Sequence, residues 1–459
     1  MLSQDTITPF SASLRGRVVQ PGDGDYDASR QVYNAMIDRH PRLIVYCRDV
    51  ADVMRSVDFA REQSLLLAVR GGGHNGGGLG ICDEGLVIDL SGLKGIRVDA
   101  EARTVRVEGG CTWADVDHAT HAFGMATPSG IIGTTGVGGL TLGGGLGHLT
   151  RRCGLTVDNL LEADVVLASG KLVTANAKQH PELYWALRGG GGNFGVVTSF
   201  LFRLHAVSTV VAGPTFWPLE RAADVLRWYR DFIVSAPEEL GGWFAFLTVP
   251  PVAPYPPELQ GKKVCGVVWC YSGDAAGADA VFKPVAEFGP PLMHGVQPMP
   301  YPMLQGAFDA LYPPGDQWYW RADFVTELSD AAISEHQRFG PRLPTPQSTM
   351  HLYPIDGAAH RVKAGDTAFS YREANWASVF AGVSGNAADV PAISAWSKDY
   401  WNALHPHSSG GAYVNMMMDD EGEDRIRASY RDNYPRLAAA KKRYDPENLF
   451  RVNQNIRPQ

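Results

Sequence analysis

The chain has 459 residues, 45% of them hydrophobic and 20% charged, with a formal net charge of −8. This is ordinary globular composition, with length for about two to four domains. The negative balance, with no long Lys/Arg run, argues against nucleic acid or an anionic membrane as partner.

The polar start Met1-Leu2-Ser3-Gln4-Asp5 lacks the basic and apolar regions of a secretory signal. No apolar stretch reaches membrane-spanning length. Cys47, Cys82, Cys111, Cys153, Cys265 and Cys270 form neither a C-x-x-C pair nor a zinc spacing. They read as structural thiols of a chain in a reducing, cytoplasmic setting, either a monomer or a homodimer.

In chain order, Leu43–Cys47 reads as a strand, and Asp49 as the cap of a helix with an apolar stripe from Val50 to Ala60. Leu65–Val69, Leu86–Leu90 and Thr104–Val107 are further strands. Thr112 caps a helix over Trp113–Phe123; its His118 and His121 lack further ligands, so no metal is expected. Ala163–Ala168 and Lys171–Ala175 read as a hairpin turning at Ser169-Gly170. Pro181 opens a short helix to Leu187, and Val196–Leu204 alternates like a strand. Beyond residue 206 glycine thins and β-rich runs follow at Trp243–Val249, Val264–Tyr271, Trp318–Val325 and Met350–Tyr353. The helical segment Ala275–Phe288 lies among them, predicting a second α+β unit on an antiparallel sheet. The run Asp419–Asp424 reads as a solvated loop and helix start, and the polar tail as docked.

Most of the glycines before residue 196 fall in three clusters: Gly71–Gly80, Gly130–Gly147 and Gly189–Gly192. Glycine lets a ligand approach the main chain, so the clusters predict one large ligand held at several points. The first contains a formal G-x-G-x-x-G match after a strand. A dinucleotide-binding fold needs a helix to begin inside that motif, and Gly76-Gly77-Gly78-Leu79-Gly80 cannot sustain one. Main-chain N–H groups of such a loop can still cradle phosphates, with Arg70 adding charge. His74, in the middle of the loop, is free to reach a ligand.

Three runs occur in order: Arg70-Gly71-Gly72-Gly73-His74-Asn75, Gly138-Gly139-Leu140-Thr141-Leu142-Gly143-Gly144-Gly145 and Gly192-Asn193-Phe194-Gly195-Val196-Val197-Thr198. Tyr413-Val414-Asn415, Tyr444-Asp445-Pro446 and Asn453-Gln454-Asn455-Ile456 follow. With these the chain resembles the berberine-bridge-enzyme-like family of the vanillyl-alcohol-oxidase (PCMH-type FAD) superfamily. The resemblance implies an α+β fold. Its PCMH-type FAD-binding domain would be made of segments 1–205 and 410–459, and its substrate domain of 206–409, with an antiparallel sheet backed by helices. It implies FAD bonded through its 8-alpha methyl carbon to His74. Ile132 stands where many relatives carry a second, cysteinyl link, so a single link is expected and Cys153 is structural. The cofactor grip would further use Arg70, Gly71, Gly72, Gly73, Asn75, Thr134, Thr135, Gly138, Gly139, Leu142, Gly143, Gly144, Val197, Asn453 and Asn455. Thr135 falls where small residues accompany oxidases in the family, which favours oxygen as electron acceptor and hydrogen peroxide as product.

Oxidising a carbon that bears O–H requires a base for the proton. The family's Tyr-x-Asn motif supplies Tyr413, with Asn415 two residues on, on the same face if the segment is a strand. A second family position, often Gln or Glu, falls near Phe380. Trp318, Trp320 and Phe324 share one strand face, and Tyr319, Arg321 and Asp323 the other. Tyr319, His351 and Tyr371 are the candidate substrate contacts. The function so implied is oxidation of an alcohol, hemiacetal or amine carbon of a sugar or secondary metabolite. A flavin dehydrogenase with another acceptor, and a natural-product cyclase or monooxygenase, remain as alternatives.

Overall fold

The structure, a computed structural model, describes residues 2–459. A four-stranded sheet comes first, in the order Arg17–Val19, Leu43–Tyr46, Leu86–Asp89, Leu67–Arg70. Its last three strands are parallel, and the helix Val50–Glu62 makes the crossover. Burial on both faces explains why these strands are continuous apolar runs rather than alternating ones. The Asp49 carboxylate accepts from the N–H groups of Ala51 and Asp52, as its place before the apolar stripe predicts.

Ile96–Asp99, Thr104–Glu108, Val196–Arg203, Leu160–Val166 and Leu172–Asn176 form a five-stranded antiparallel sheet. The predicted hairpin turns at Gly170, whose φ of +77° excludes most side chains. Thr112 and Asp115 form a reciprocal cap on the helix Trp113–His121. The second glycine cluster is not all loop: it contains the helix Val137–Leu142.

The residues beyond 206 build an antiparallel sheet in the order Met293–His294, Thr209–Trp217, Lys263–Tyr271, Leu240–Thr248, Thr349–Pro354, Trp376–Ser384, Gln317–Val325; Gln297–Pro300 also pairs with Thr209–Trp217. Side chains alternate across it. Phe244, Phe246, Trp269 and Phe380 pack under the helices Ala222–Ser235, Asp330–Phe339 and Val390–Leu404. Trp243, Ala245, Trp318, Trp320 and Tyr353 point to the opposite face, toward the glycine loops.

The chain then returns to its first part. Leu437, Ala438 and Tyr444 of the helix Tyr434–Tyr444 share a core with Val105, Trp113 and Phe200. Lys441 Nζ, fully buried, pairs with Asp445 at 2.7 Å and donates to the carbonyls of Asn193 and Phe450. The tail is docked as predicted: Ile456 is buried, and its N–H donates to Asn193 Oδ1. The acidic run is exposed except at Glu421 and opens the helix Gly422–Tyr430, as predicted. The Glu421 side chain is shielded against Arg321 and Arg425, and Asp420 also pairs with Arg321, which clamps the C-terminal segment to the Gln317–Val325 strand. Among the described residues no helix is long and apolar enough to cross a membrane.

Candidate active site

A cavity of about 950 Å³ runs between the glycine loops and the substrate-side face of the large sheet. All three glycine clusters reach it, as do Tyr413, Asn415, Asn453 and Gln454 from the C-terminal segment. The loops interlock because they lack side chains. A Cβ on Gly72 would lie 2.5 Å from the main-chain nitrogen of Gly136, so only glycine lets the first and second clusters cross at this distance. Gly139 and Gly192 instead face open space within the cavity lining.

His74 lines the cavity, with its ring stacked on Tyr33 at a centroid distance of 3.9 Å. Thr134 Oγ1 lies 3.1 Å from Nε2, and Thr135 Oγ1 lies 3.4 Å from Nδ1. Burial lowers its pKa from the usual 6.5 to about 4, so the ring is neutral at physiological pH with a lone pair on one nitrogen.

Tyr413 is buried beneath the same cavity. Its Oη accepts from the Gly145 N–H at 3.0 Å and from Asn415 Nδ2 at 2.8 Å. Burial pushes the phenol up to about 12, against the pull of Asn415 and the N–H groups of Gly145 and Leu146. The segment is not the expected strand: Val414–Met416 is a 3-10 turn. The turn, rather than strand alternation, folds Asn415 back onto the phenol, and the same amide also donates to the Leu140 carbonyl at 2.9 Å.

Of the residues expected to grip a cofactor, Arg70, Gly71, Gly72, Gly73, Asn75, Thr135, Gly138, Gly139, Leu142, Val197 and Asn453 line the cavity. The others do not. Thr134 reaches it only through His74. A Cβ on Gly143 would overlap Asn415, and one on Gly144 would crowd Phe369, so these glycines make room for side chains rather than for a ligand. Asn455 lies off the lining. Arg70, although it borders the cavity, is tied to Asp89 at 2.6 Å with both side chains buried, so its charge is already neutralised.

Among the candidate substrate contacts only His351 lines the cavity. Tyr319 is on the opposite strand face, its Oη donating to Asp420 at 2.8 Å. Tyr371 is in the loop before the Trp376–Ser384 strand, stacked on Phe324 at 4.5 Å and donating to the Ala428 carbonyl. Phe380 is turned into the helix layer against Tyr400, 4.6 Å away; its neighbours Val379 and Ala381 line the cavity. Residues the sequence reading did not single out for the site are Tyr33, Trp243 and Tyr353. Alternation along Leu240–Thr248 and Thr349–Pro354 was available as a signal, but not which face carried the site. Cys153 packs beside Leu149 and Cys270, away from the cavity.

The cavity suits FAD. It is floored by bare main chain, and the Asn453 Oδ1 in its wall is buried without a partner, an acceptor that a ligand donor would satisfy. Residues 41–176 match an FAD binding domain family model, and residues 412–457 match the model for berberine and berberine-like proteins. An FAD-linked oxidoreductase of Dictyostelium discoideum is 32% identical over 464 residues, spanning 98% of this chain and 97% of its own. (R)-6-hydroxynicotine oxidase of Paenarthrobacter nicotinovorans is 27% identical, with 100% of both chains covered. The solved structure of a single-residue variant of Physcomitrella patens BBE-like 1 superposes with a TM-score of 0.88 at 25% identity, covering 99% of both chains. The fold of an FAD-binding domain with a substrate domain, the matched family models and the full-length likeness together place the chain in the berberine-bridge-enzyme-like family of FAD-linked oxidoreductases.

Proposed function

We propose that this protein is an oxidase that holds FAD through a single covalent bond to His74, removes a hydride from an alcohol, hemiacetal or amine carbon of a small molecule, and delivers the electrons to oxygen. The cofactor-binding unit in this reading is residues 1–205 with 410–459, and the substrate unit is 206–409. The observation that carries the proposal is His74: a neutral imidazole facing the cavity, oriented by two threonine hydroxyls and a stacked tyrosine. Ile132 and no cysteine borders the cavity among the described residues, which supports one link rather than two.

FAD, when bound, supplies the two-electron acceptor. In its ionised form Tyr413 takes the hydroxyl proton of the substrate; burial favours the neutral phenol, and the donors from Asn415 and Gly145 act against it by stabilising the phenolate. The substrate carbon loses a hydride and its oxygen a proton, leaving a carbonyl; two electrons and two protons then leave with oxygen as hydrogen peroxide. Thr135, small and on the cavity wall beside His74, leaves space for oxygen.

Acid-precipitated protein should remain yellow, and His74→Ala protein should release its flavin on the same treatment. Retention of flavin by the acid-treated variant would remove His74 from its role. Peroxide should accumulate in air with substrate turnover; reduction of the flavin without peroxide would assign another acceptor.

A further inference from the structure

Resting on the reading of His74 as the flavin link, we infer that Tyr33 and Asn34 are positioning residues for that link: they form a splint through which the substrate-side segment 312–318 holds the His74 ring in place for bond formation. The first glycine loop cannot fix that ring by itself. From residue 71 to residue 80 it carries side chains only at His74, Asn75 and Leu79, and Asn75 Oδ1 is engaged within the loop by the Leu79 N–H. Main chain this bare is conformationally permissive, so the ring must be set from outside.

Residues 33–35 supply the support. The Tyr33 N–H donates to the Gly73 carbonyl at 3.1 Å, and Asn34 Nδ2 donates to the Gly76 carbonyl at 2.7 Å. These two carbonyls flank His74, so the chain is pinned on both sides of it. The Tyr33 ring covers the imidazole, with an interplanar angle of 18°. The same three residues are bonded on their other side to the substrate-side segment. Tyr33 Oη donates to the Tyr312 carbonyl at 2.7 Å, the Gly315 N–H donates to the Tyr33 carbonyl at 3.1 Å, and the Ala35 N–H donates to the Asp316 carbonyl at 2.9 Å. Asn34 Oδ1 accepts from the Trp318 N–H at 2.9 Å, and Nδ2 donates to the Trp318 carbonyl at 2.9 Å. The Met36 N–H also donates to Oδ1. The fully buried amide thus uses both donors and both acceptor lone pairs. An apolar residue of the same size would leave four main-chain groups without this partner.

The covalent step needs such accuracy. A bond forms between the lone-pair nitrogen of His74 and the 8-alpha carbon of the flavin, one C–H bond at that carbon breaks, and the imidazole N–H proton leaves. The two protons and two electrons released pass to dissolved oxygen, giving one hydrogen peroxide per link. The lone pair lies in the plane of the imidazole, so tilting the ring turns it away from the carbon. The face of Tyr33 fixes that plane, and the hydroxyls of Thr134 and Thr135 fix rotation within it. A displacement of about 1 Å is enough to slow a positioned reaction about 10²-fold.

The test uses full-length protein from riboflavin-starved cells, mixed in air with saturating FAD. Acid-stable flavin and peroxide are followed in time, and FAD affinity and melting temperature are measured beside them. Tyr33→Leu, which lacks the flat face, should lower the first-order rate of linkage about 10- to 100-fold. Tyr33→Phe, which keeps the face, should restore most of it. Asn34→Leu, at a residue with no hydrogen bond to the imidazole, should slow linkage by a similar factor; if that variant does not fold, the Tyr33 pair decides. A lower melting temperature or FAD affinity with an unchanged rate at saturation would make both residues merely structural and overturn the inference. So would a Tyr33→Phe rate as low as that of Tyr33→Leu, or normal linkage in folded Asn34→Leu protein. His74→Ala sets the zero of the assay. Parent protein that gains no acid-stable flavin would defeat the His74 reading and the splint with it, whereas a parent that links no faster than Tyr33→Leu would defeat the splint alone.

Discussion

Gly76 of the first glycine loop lies flat against the indole of Trp320, so that a Cβ on the glycine would overlap the ring. This contact joins the His74 loop to the substrate-side sheet. Gly76→Ala should destabilise the protein by about 1–3 kcal/mol through overpacking and lower its flavin content, as read from thermal melting and the flavin-to-protein absorbance ratio. Adding Trp320→Ala should recover part of the loss. Additive effects in the double variant would show that the two residues do not restrain each other.

Tyr413 and Asn415 should separate by their pH profiles. Tyr413→Phe is expected to slow flavin reduction about 10²- to 10⁴-fold at every pH. Asn415→Leu removes a donor that holds the phenol down, so its rate should fall at neutral pH and recover as pH rises. A pH-independent defect in Asn415→Leu would assign the amide to packing alone.

The buried pair Lys441–Asp445 fixes the C-terminal segment. Lys441→Met leaves Asp445 with only the N–H groups of Leu449 and Phe450, and should cost about 3–5 kcal/mol. Limited proteolysis should then cut after residue 441 faster than in the parent protein. Unchanged melting and cleavage would show that the hydrogen bonds of Asp445 suffice.

Acid should destabilise the fold. Burial lowers His148, His336 and His351 from 6.5 to about 3. Between about pH 6.5 and 3 the unfolded chain therefore binds more protons at these sites, and stability falls with pH by about 1.4 kcal/mol per unit for each. Asp117 acts in the opposite sense: burial raises it to about 7, so protonation there favours the folded state. His74 and His205, lowered to about 4, add to the histidines, while Asp309, Asp316 and Glu421, also raised by burial, act with Asp117; the histidines set the sign above pH 5, and the melting temperature of the protein should drop from pH 7 to pH 5. A flat profile would place these histidines in contact with water.

The sequence was most readable where a local signal was self-contained. Asp49, Thr112 and Gly170 each marked an element end through a hydrogen bond or a φ angle that needs no distant partner. The alternation of Trp318, Trp320 and Phe324 against Tyr319, Arg321 and Asp323 was also readable, but not which face met the cavity. That depended on Asp420 and Glu421, about a hundred residues away, which draw Arg321 and Tyr319 outward. Phe380 shows the same limit at single-residue scale: one step along a strand moves a side chain from the cavity to the helix layer. Tyr413 and Asn415 met as their spacing promised, but through a turn whose shape is set by Leu140 and Gly145.

The cavity wall draws on both ends of the chain, since Asn453 and Gln454 stand opposite loops that begin near residue 70. During synthesis the first two hundred residues must therefore leave the ribosome with this crevice unroofed. A flavin held by this wall needs residues 453 and 454 in place, so a product truncated before Lys441 should be recovered colourless.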